Sequence, residues 1–232
     1  MAFGDLVKQA TDDAGVTART VYTPDLLSNP TSGNLLVVTF ASDRDNRTVT
    51  SPPSGFTELH NVLGHGGWAW YYKVSVGTEQ TTSLTWDANC AGVAHYVEYE
   101  WDGSTPTIVK NDDQTNIATV VTTQASGAAT PTSATNICIA AHGSEVGTNV
   151  NDVQAVDGSW IEDIAFGTTQ GEMIMSRLVN AALSSQEATF TCTDTGDAMY
   201  GAIAVFNVVS GATGKSNPLN GSLGGCLAGP IS

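Results

Sequence analysis

The residues best placed to do chemistry are the carboxylates of the run Glu98-Tyr99-Glu100-Trp101-Asp102. On an extended strand, positions i, i+2 and i+4 share a face, so Glu98, Glu100 and Asp102 would line one side together. Paired carboxylates suit glycoside hydrolysis, where one protonates the leaving group and the other attacks the sugar. Retaining chemistry needs them ~5–5.5 Å apart, with one pKa raised. The corresponding run in the second half of the chain, "VFNVVSG", has no carboxylate at all. The expectation is therefore a solvated outer strand face, and no catalytic residue is assigned. Asp87 and Asp102, each at an expected strand end, are expected to serve turns.

The other chemically able residues are scattered. His60 and His65 flank a glycine-rich loop, but two ligands do not make a zinc site, and His95 and His142 stand far off in sequence. Asp43-Arg44-Asp45-Asn46 has the opening of a calcium loop without its later glycine and bidentate glutamate. No nucleophile elbow or phosphate-binding glycine loop is present. No metal and no cofactor are expected. Aromatic residues concentrate in the first half, and both faces of the alternating run Trp68–Val76 carry them. One face must fill the core. The other is open to contact; Trp68, Tyr71 and Trp101 are the candidates for stacking on sugars or on protein, with core filling the first expectation for any single one.

The elements that would position these residues are strands. The chain has 232 residues, 41% hydrophobic and only 13% charged, with 30 threonines and 24 glycines. Threonine favours a pleated, half-buried surface over a helix. Alternation of period two runs through Trp68–Val76, Ala94–Trp101 and Tyr200–Val209, while Leu35–Ala41 is a near-continuous apolar run. Further strands are expected near 16–22, 56–62, 81–86, 118–123, 137–142, 160–166, 172–179 and 188–193. Only Asp5–Thr11 has even a weak helical pattern.

Net charge is −15, from 8 basic and 23 acidic residues. So few cations argue against a nucleic-acid partner and against anionic lipid. No secretory leader and no run of ~18 apolar residues is visible, so no membrane span is expected. Cys90, Cys138, Cys192 and Cys226 lack metal-like spacing and are expected as free thiols.

The second half of the chain echoes the first. "NPTSGNLLVVTFAS" (Asn29–Ser42) returns as "TPTSATNICIAAHGS" (Thr130–Ser144), and "WYYKVSVGTEQTTSLTW" (Trp70–Trp86) returns loosely as "IMSRLVNAALSSQEATFTC" (Ile174–Cys192). Two similar halves can be tandem domains or can interleave in one sandwich. The interleaved form is expected, because six strands bury little apolar area alone. The expected fold is thus an all-β, two-sheet antiparallel jelly-roll-like sandwich over residues 1–209, with halves of about 1–102 and 103–209. Residues 210–232, rich in Gly, Ser, Asn and Pro, are expected to form an extended C-terminal arm. Leu219, Leu223, Leu227 and Ile231 would be its apolar anchors on a neighbour.

The run "SGNLLVVTFASDRDNRTVTSPPSGFTEL…WAWYYKVSVGTEQTTSLTW" (Ser32–Trp86) resembles a recurring β-sandwich of bacteriophage tail-fibre and other virion proteins. The matching pieces are the strand Gly33–Val37, the turn Pro52–Thr57, Tyr71–Val74 with Gly77–Glu79, and Ala202–Phe206. Asn34 stands where the pattern has aspartate. The likeness extends over roughly Val16–Val209. It implies a concanavalin-like jelly roll on a phage particle, assembled in the host cytoplasm. The function expected on that basis is a non-enzymatic virion structural protein, foremost a capsid decoration subunit. Its partners would be other capsid or tail proteins and copies of itself, with a trimer as one such assembly. The alternative is a tail or neck fibre subunit that binds surface glycans. A glycoside hydrolase is the third reading. Laminarinase-like jelly-roll enzymes carry Glu-x-Asp-x-x-Glu, whereas this strand has Glu-x-Glu-x-Asp-Gly and lacks the terminal glutamate.

Overall fold

The computed structural model describes residues 1–15, 17–42, 47–62, 68–111, 114–116, 123–144, 153–156, 159–168, 171–192 and 199–209. All regular structure among them is β. The first half supplies β1 (Leu6–Asp13), β2 (Arg19–Tyr22), β3 (Leu35–Ser42), β4 (Val49–Ser51), β5 (Thr57–Val62), β6 (Trp68–Val74), β7 (Leu84–Cys90) and β8 (Gly92–Tyr99). The second supplies β9 (Thr107–Lys110), β10 (Gln114–Asn116), β11 (Thr123–Ala125), β12 (Asn136–Ser144), β13 (Val153–Val156), β14 (Ile161–Thr168), β15 (Gly171–Val179), β16 (Thr189–Cys192) and β17 (Met199–Asn207).

Each half builds one large and one small antiparallel sheet. In the first half the orders are β1-β8-β3-β6-β5 and β2-β7-β4. In the second they are β10-β17-β12-β15-β14, with β9 also on β17, and β11-β16-β13. The two sets correspond strand for strand. Leu35 of β3 faces Tyr99 and Val74, as Ile137 of β12 faces Phe206 and Val179.

The expected interleaving of strands is not what the sheets show: every named pair joins strands of one half. The halves instead share a core. Leu35, Val37, Trp68, Trp70, Val97 and Tyr99 of the first large sheet pack with Ile137, Ile139, Met175, Ala204 and Phe206 of the second. The opposite face of the first large sheet, with Leu36, Val38, Phe40, Tyr71 and Tyr96, packs on Leu84 and Trp86 of its small sheet. In the second half, Cys138, Ile203 and Val205 form one outer cluster, and Ala140 packs with Ala188 and Phe190 in another. The result is four β layers, with both large sheets inside. The physical reason is burial: a half forming only one outer core would leave its large sheet's other apolar face in water.

Layering explains why β3 and β8 are buried at every position. A strand covered on both faces has no solvated face, so β3 is a near-continuous apolar run, while β8 buries His95 and Glu98 among its apolar residues. It also explains the N-terminus. Lys8–Asp13 pairs with Val93–Glu98 as the edge of the first large sheet, so the weak helical pattern of Asp5–Thr11 gives way to strand. Tertiary pairing overrides a local propensity worth only tenths of a kcal/mol per residue. Cys90 and Cys138 are buried free thiols. Residues 210–232, with Leu219, Leu223, Leu227 and Ile231, lie outside the described residues, as do Val16, Asp43–Asn46, His65 and the greater part of 118–123.

Candidate functional site

Glu98 is completely buried, which corrects the expectation of a solvated carboxylate face. Ala94, Tyr96 and Glu98 alternate onto the side of β8 that is covered by the small sheet and by the chain leading into β3. There the Glu98 Oε1 accepts the Thr31 N–H and the Asn34 Nδ2–H, both at 2.7 Å. Its Oε2 lies 3.4 Å from the Lys8 ammonium, which also donates to the Asn29 carbonyl. A buried carboxylate persists only where such partners replace its lost hydration. Glu98 is therefore a pin that holds the 29–34 segment against β8. Glu100 follows the end of β8, and its backbone pairs with Gly4 and Asp5. Asp102 caps the next turn, accepting from the Ser104 N–H at 2.9 Å and the Ser104 hydroxyl at 2.6 Å. The three carboxylates do not line one strand face together. Asp87 lies within β7 rather than at a strand end, and accepts from Arg47 at 3.2 Å.

The candidate contact aromatics are likewise inside. Trp68, Tyr71 and Trp101 are 0%, 1% and 1% exposed. The alternation that the sequence displays is real: Trp68 and Trp70 fill the shared core, and Tyr71 the outer one. The face left over for contact is covered by the small sheet. Trp101 packs on Phe3 at 5.2 Å between ring centroids and donates its indole N–H to the Ser104 carbonyl at 2.7 Å.

Two polar clusters escaped the sequence reading. At the first, the Tyr99 hydroxyl donates to Asp163 Oδ2 at 2.7 Å across the boundary between the halves. Asp163 is ion-paired with Arg177, whose guanidinium lies 5.8 Å from the centre of the Tyr99 ring. Burial pushes the Tyr99 hydroxyl well above the ordinary phenol range, so it stays protonated and able to donate. The second is the Glu79 carboxylate. Burial opposes its ionisation, but the Lys73 ammonium at 2.7 Å and the N–H groups of Val76 and Thr78 outweigh this and hold its pKa down at about 2. Glu79 also lines a recess of about 170 Å³ with Thr23, Ser54, Phe56, Thr81, Thr82 and Ser83. The only sequence signal for it is the Gly77-Thr78-Glu79 turn. For Asp163 and Arg177 there was none: they face each other across the paired strands β14 and β15, and Tyr99 reaches them only once the halves stack.

Among the described residues the histidines do not converge. His95 Nδ1 lies 3.0 Å from the Thr11 hydroxyl, and His60 meets the Trp70 ring edge-on at 5.4 Å. His142 is wholly buried beside Phe190, and burial pulls its pKa down to about 3. Among the described residues no three His, Cys, Asp or Glu side chains gather as a metal site would require. No family model, no curated protein and no solved structure matches the chain.

Proposed function

We propose that the chain is a non-enzymatic structural subunit on the outside of a bacteriophage particle, assembled in the host cytoplasm, and foremost a capsid decoration subunit. The observation that carries this reading is where the reactive side chains are spent. Glu98, Glu79 and Asp163 are each held by backbone N–H groups, side-chain donors or a cation, in roles that tie one layer or loop to the next. Such groups are poised to resist deformation rather than to exchange protons with a substrate. The resemblance over Val16–Val209 supports the same reading. So does an acidic body, which stays dispersed as single copies and docks on a more basic shell.

The fibre alternative, with glycan binding, is supported by one feature, the recess beside Phe56. Its walls carry four Ser and Thr residues besides Thr23, one aromatic ring and one carboxylate, a lining able to hydrogen-bond and stack on a sugar.

The test is co-purification. Intact particles are banded on a density gradient from a lysate of the producing cells and probed with antibody against this chain. The chain is expected in the particle band, at a fixed ratio to the shell protein and reachable by antibody without disruption. A chain that stays wholly in the soluble fraction would overturn the proposal, as would polysaccharide turnover by the purified protein that Glu100→Gln abolishes.

A further inference from the structure

The two halves point the same way. Tyr72 and Phe206, late in β6 and β17, meet with ring centroids 5.4 Å apart, and Trp68 and Tyr200, early in the same strands, meet at 6.0 Å. Gly4, just before β1, lies against Val179 at the end of β15. One end of the molecule therefore gathers the loops that enter β3 and β12, those that leave β6 and β15, and the exit of β17.

Apolar exposure collects on that end. Met1 apart, the exposed large apolar side chains of the described residues are two on strands, Val21 and Ile161, and four on these loops. The four are Leu27 at 86%, Val76 at 64%, Leu183 at 59% and Val209 at 44%. Leu27 is held out in a conformation leucine avoids, with φ 65°. Asp25 Oδ1 fixes it by accepting the Leu27 N–H at 2.7 Å and the Gln80 amide at 2.9 Å. Strain imposed to present a bare leucine marks a contact surface.

The sequence supplies a complementary segment at the same place. Residues 210–232 continue from Val209, carry Lys215 and none of the 23 acidic residues, and bear apolar residues at every fourth position from Leu219 to Ile231. An acidic copy repels its twin everywhere except through such a segment.

We propose that this end receives residues 210–232 of a second copy, with Leu219, Leu223, Leu227 and Ile231 seated over Leu27, Val76 and Leu183. The proposal rests on the assembly-arm reading and names the surface the arm grips. Ten extended residues from Ser210 to Leu219 span roughly 33 Å, enough to cross to a neighbour. Docking on the chain's own body costs less entropy, so a second copy is favoured only by the further apolar area that two copies bury together. Four anchors recover little beyond the cost of ordering a glycine-rich segment. In a two-fold pair the apolar ends also cover each other, and each exchanged arm adds to the same contact.

The experiment uses the full chain carrying Leu27→Cys under mild oxidation. Cys226, between Leu223 and Leu227, is the arm's own thiol, and Cys90 and Cys138 are buried. The expected product is a covalent dimer whose linking peptide joins position 27 of one copy to Cys226 of the other. In parallel, Leu27→Asp/Leu183→Asp is expected to weaken self-association at least tenfold in sedimentation, with the melting temperature unchanged. A 27–226 link within one chain, no such link, or self-association indifferent to the double substitution would each overturn the proposal. If the link is absent while deletion of residues 212–232 still weakens particle attachment, this docking surface falls and the arm reading stands. If that deletion changes nothing, the arm reading itself falls.

Discussion

In the first half the edge of the large sheet is a single strand, β1, in register with β8 from Lys8 to Asp13 after one register shift between Leu6 and Lys8. In the second half the same edge is made of two pieces, β9 and β10, laid end to end along β17. Asn111 fills the gap with its side chain, whose oxygen accepts the Ile203 N–H at 3.2 Å and whose nitrogen donates to the Ser126 carbonyl at 2.8 Å. The pin at the start of the central strand differs too. Glu98 caps Thr31 in the first half, whereas Asn207 does so in the second, accepting from Thr132 at 2.8 Å and Ser133 at 3.1 Å. By register Asn207 stands two places beyond the counterpart of Glu98. Packing diverges as well, with Trp and Tyr filling the first half and Ala, Ile and Met the second. What both halves keep is the pairing order and a polar side chain capping the turn into the central strand. The plan is set by unmet backbone hydrogen bonds, and the identity of the filling is free so long as the volume is met.

The sharpest way to break that comparison is to separate the halves. Residues 1–102 expressed alone would bare the face formed by Leu35, Val37, Trp68, Trp70 and Tyr99. Insoluble or dye-binding material without a cooperative melt is expected. A soluble half with a sharp melting transition would show that the outer core of each half suffices, and that the shared core is only a docking contact.

A smaller but still large effect is expected at the boundary pair. Asp163→Ala leaves the Arg177 guanidinium buried without its partner and the Tyr99 hydroxyl without its acceptor, costing about 3–5 kcal/mol. Lys8→Ala, which removes the more exposed partner of Glu98, should cost less than ~2 kcal/mol. Urea midpoints of the two variants decide whether the tie between halves outweighs the pin within one. Equal losses would mean that Asp163 and Arg177 are incidental.

Most of the strands were legible in the sequence, because alternation and the repeat both survive the four-layer packing. Trp68–Val74, Leu35–Ser42 and Tyr200–Asn207 lie where their patterns put them. β4, β9, β10 and β13 were missed because each has three or four residues, too few to show a period, and the eight-residue β1 was missed because its local pattern is weakly helical. The inner stacking was illegible for a different reason. A strand buried on one face and a strand buried on both look alike wherever Tyr or Thr provides the second face. Tyr71 and Glu98 were accordingly read as surface. A buried carboxylate announces itself only through its partners, and Thr31, Asn34 and Lys8 come from two other segments of the chain.

Acid sharpens the comparison further, because among the described residues each half holds one acid-sensitive group with a strongly lowered pKa. His142 in the second half is buried neutral, so its contribution is complete above its ordinary value of 6.5 and is lost as pH falls toward about 3. Glu79 in the first half is buried charged, so its contribution is complete above 4.5 and is lost as pH falls toward about 2. On acidification the second half is expected to weaken first. Between pH 6 and 4.5 the stability should fall by up to about 1.4 kcal/mol per pH unit, and His142→Gln should flatten that slope while Glu79→Gln leaves it unchanged. Chemical denaturation at stepped pH reads both slopes. An unchanged slope in the His142→Gln protein would move the acid response to other groups.

The smallest effect on the folded body is expected from removing residues 212–232. Among the described residues, the core clusters of both halves are built from side chains between Phe3 and Val208. The melting temperature of the dilute protein should shift by less than about 2 °C, below the change that ~1 kcal/mol produces in a chain of this size. Attachment to the particle should weaken nonetheless, because Leu219, Leu223, Leu227 and Ile231 leave with the segment. The two readouts must part company for the arm to be an assembly device. A truncated protein that melts lower by many degrees would make the segment part of the second half's own fold. One that occupies the particle as fully as the intact chain would make it a passive tail.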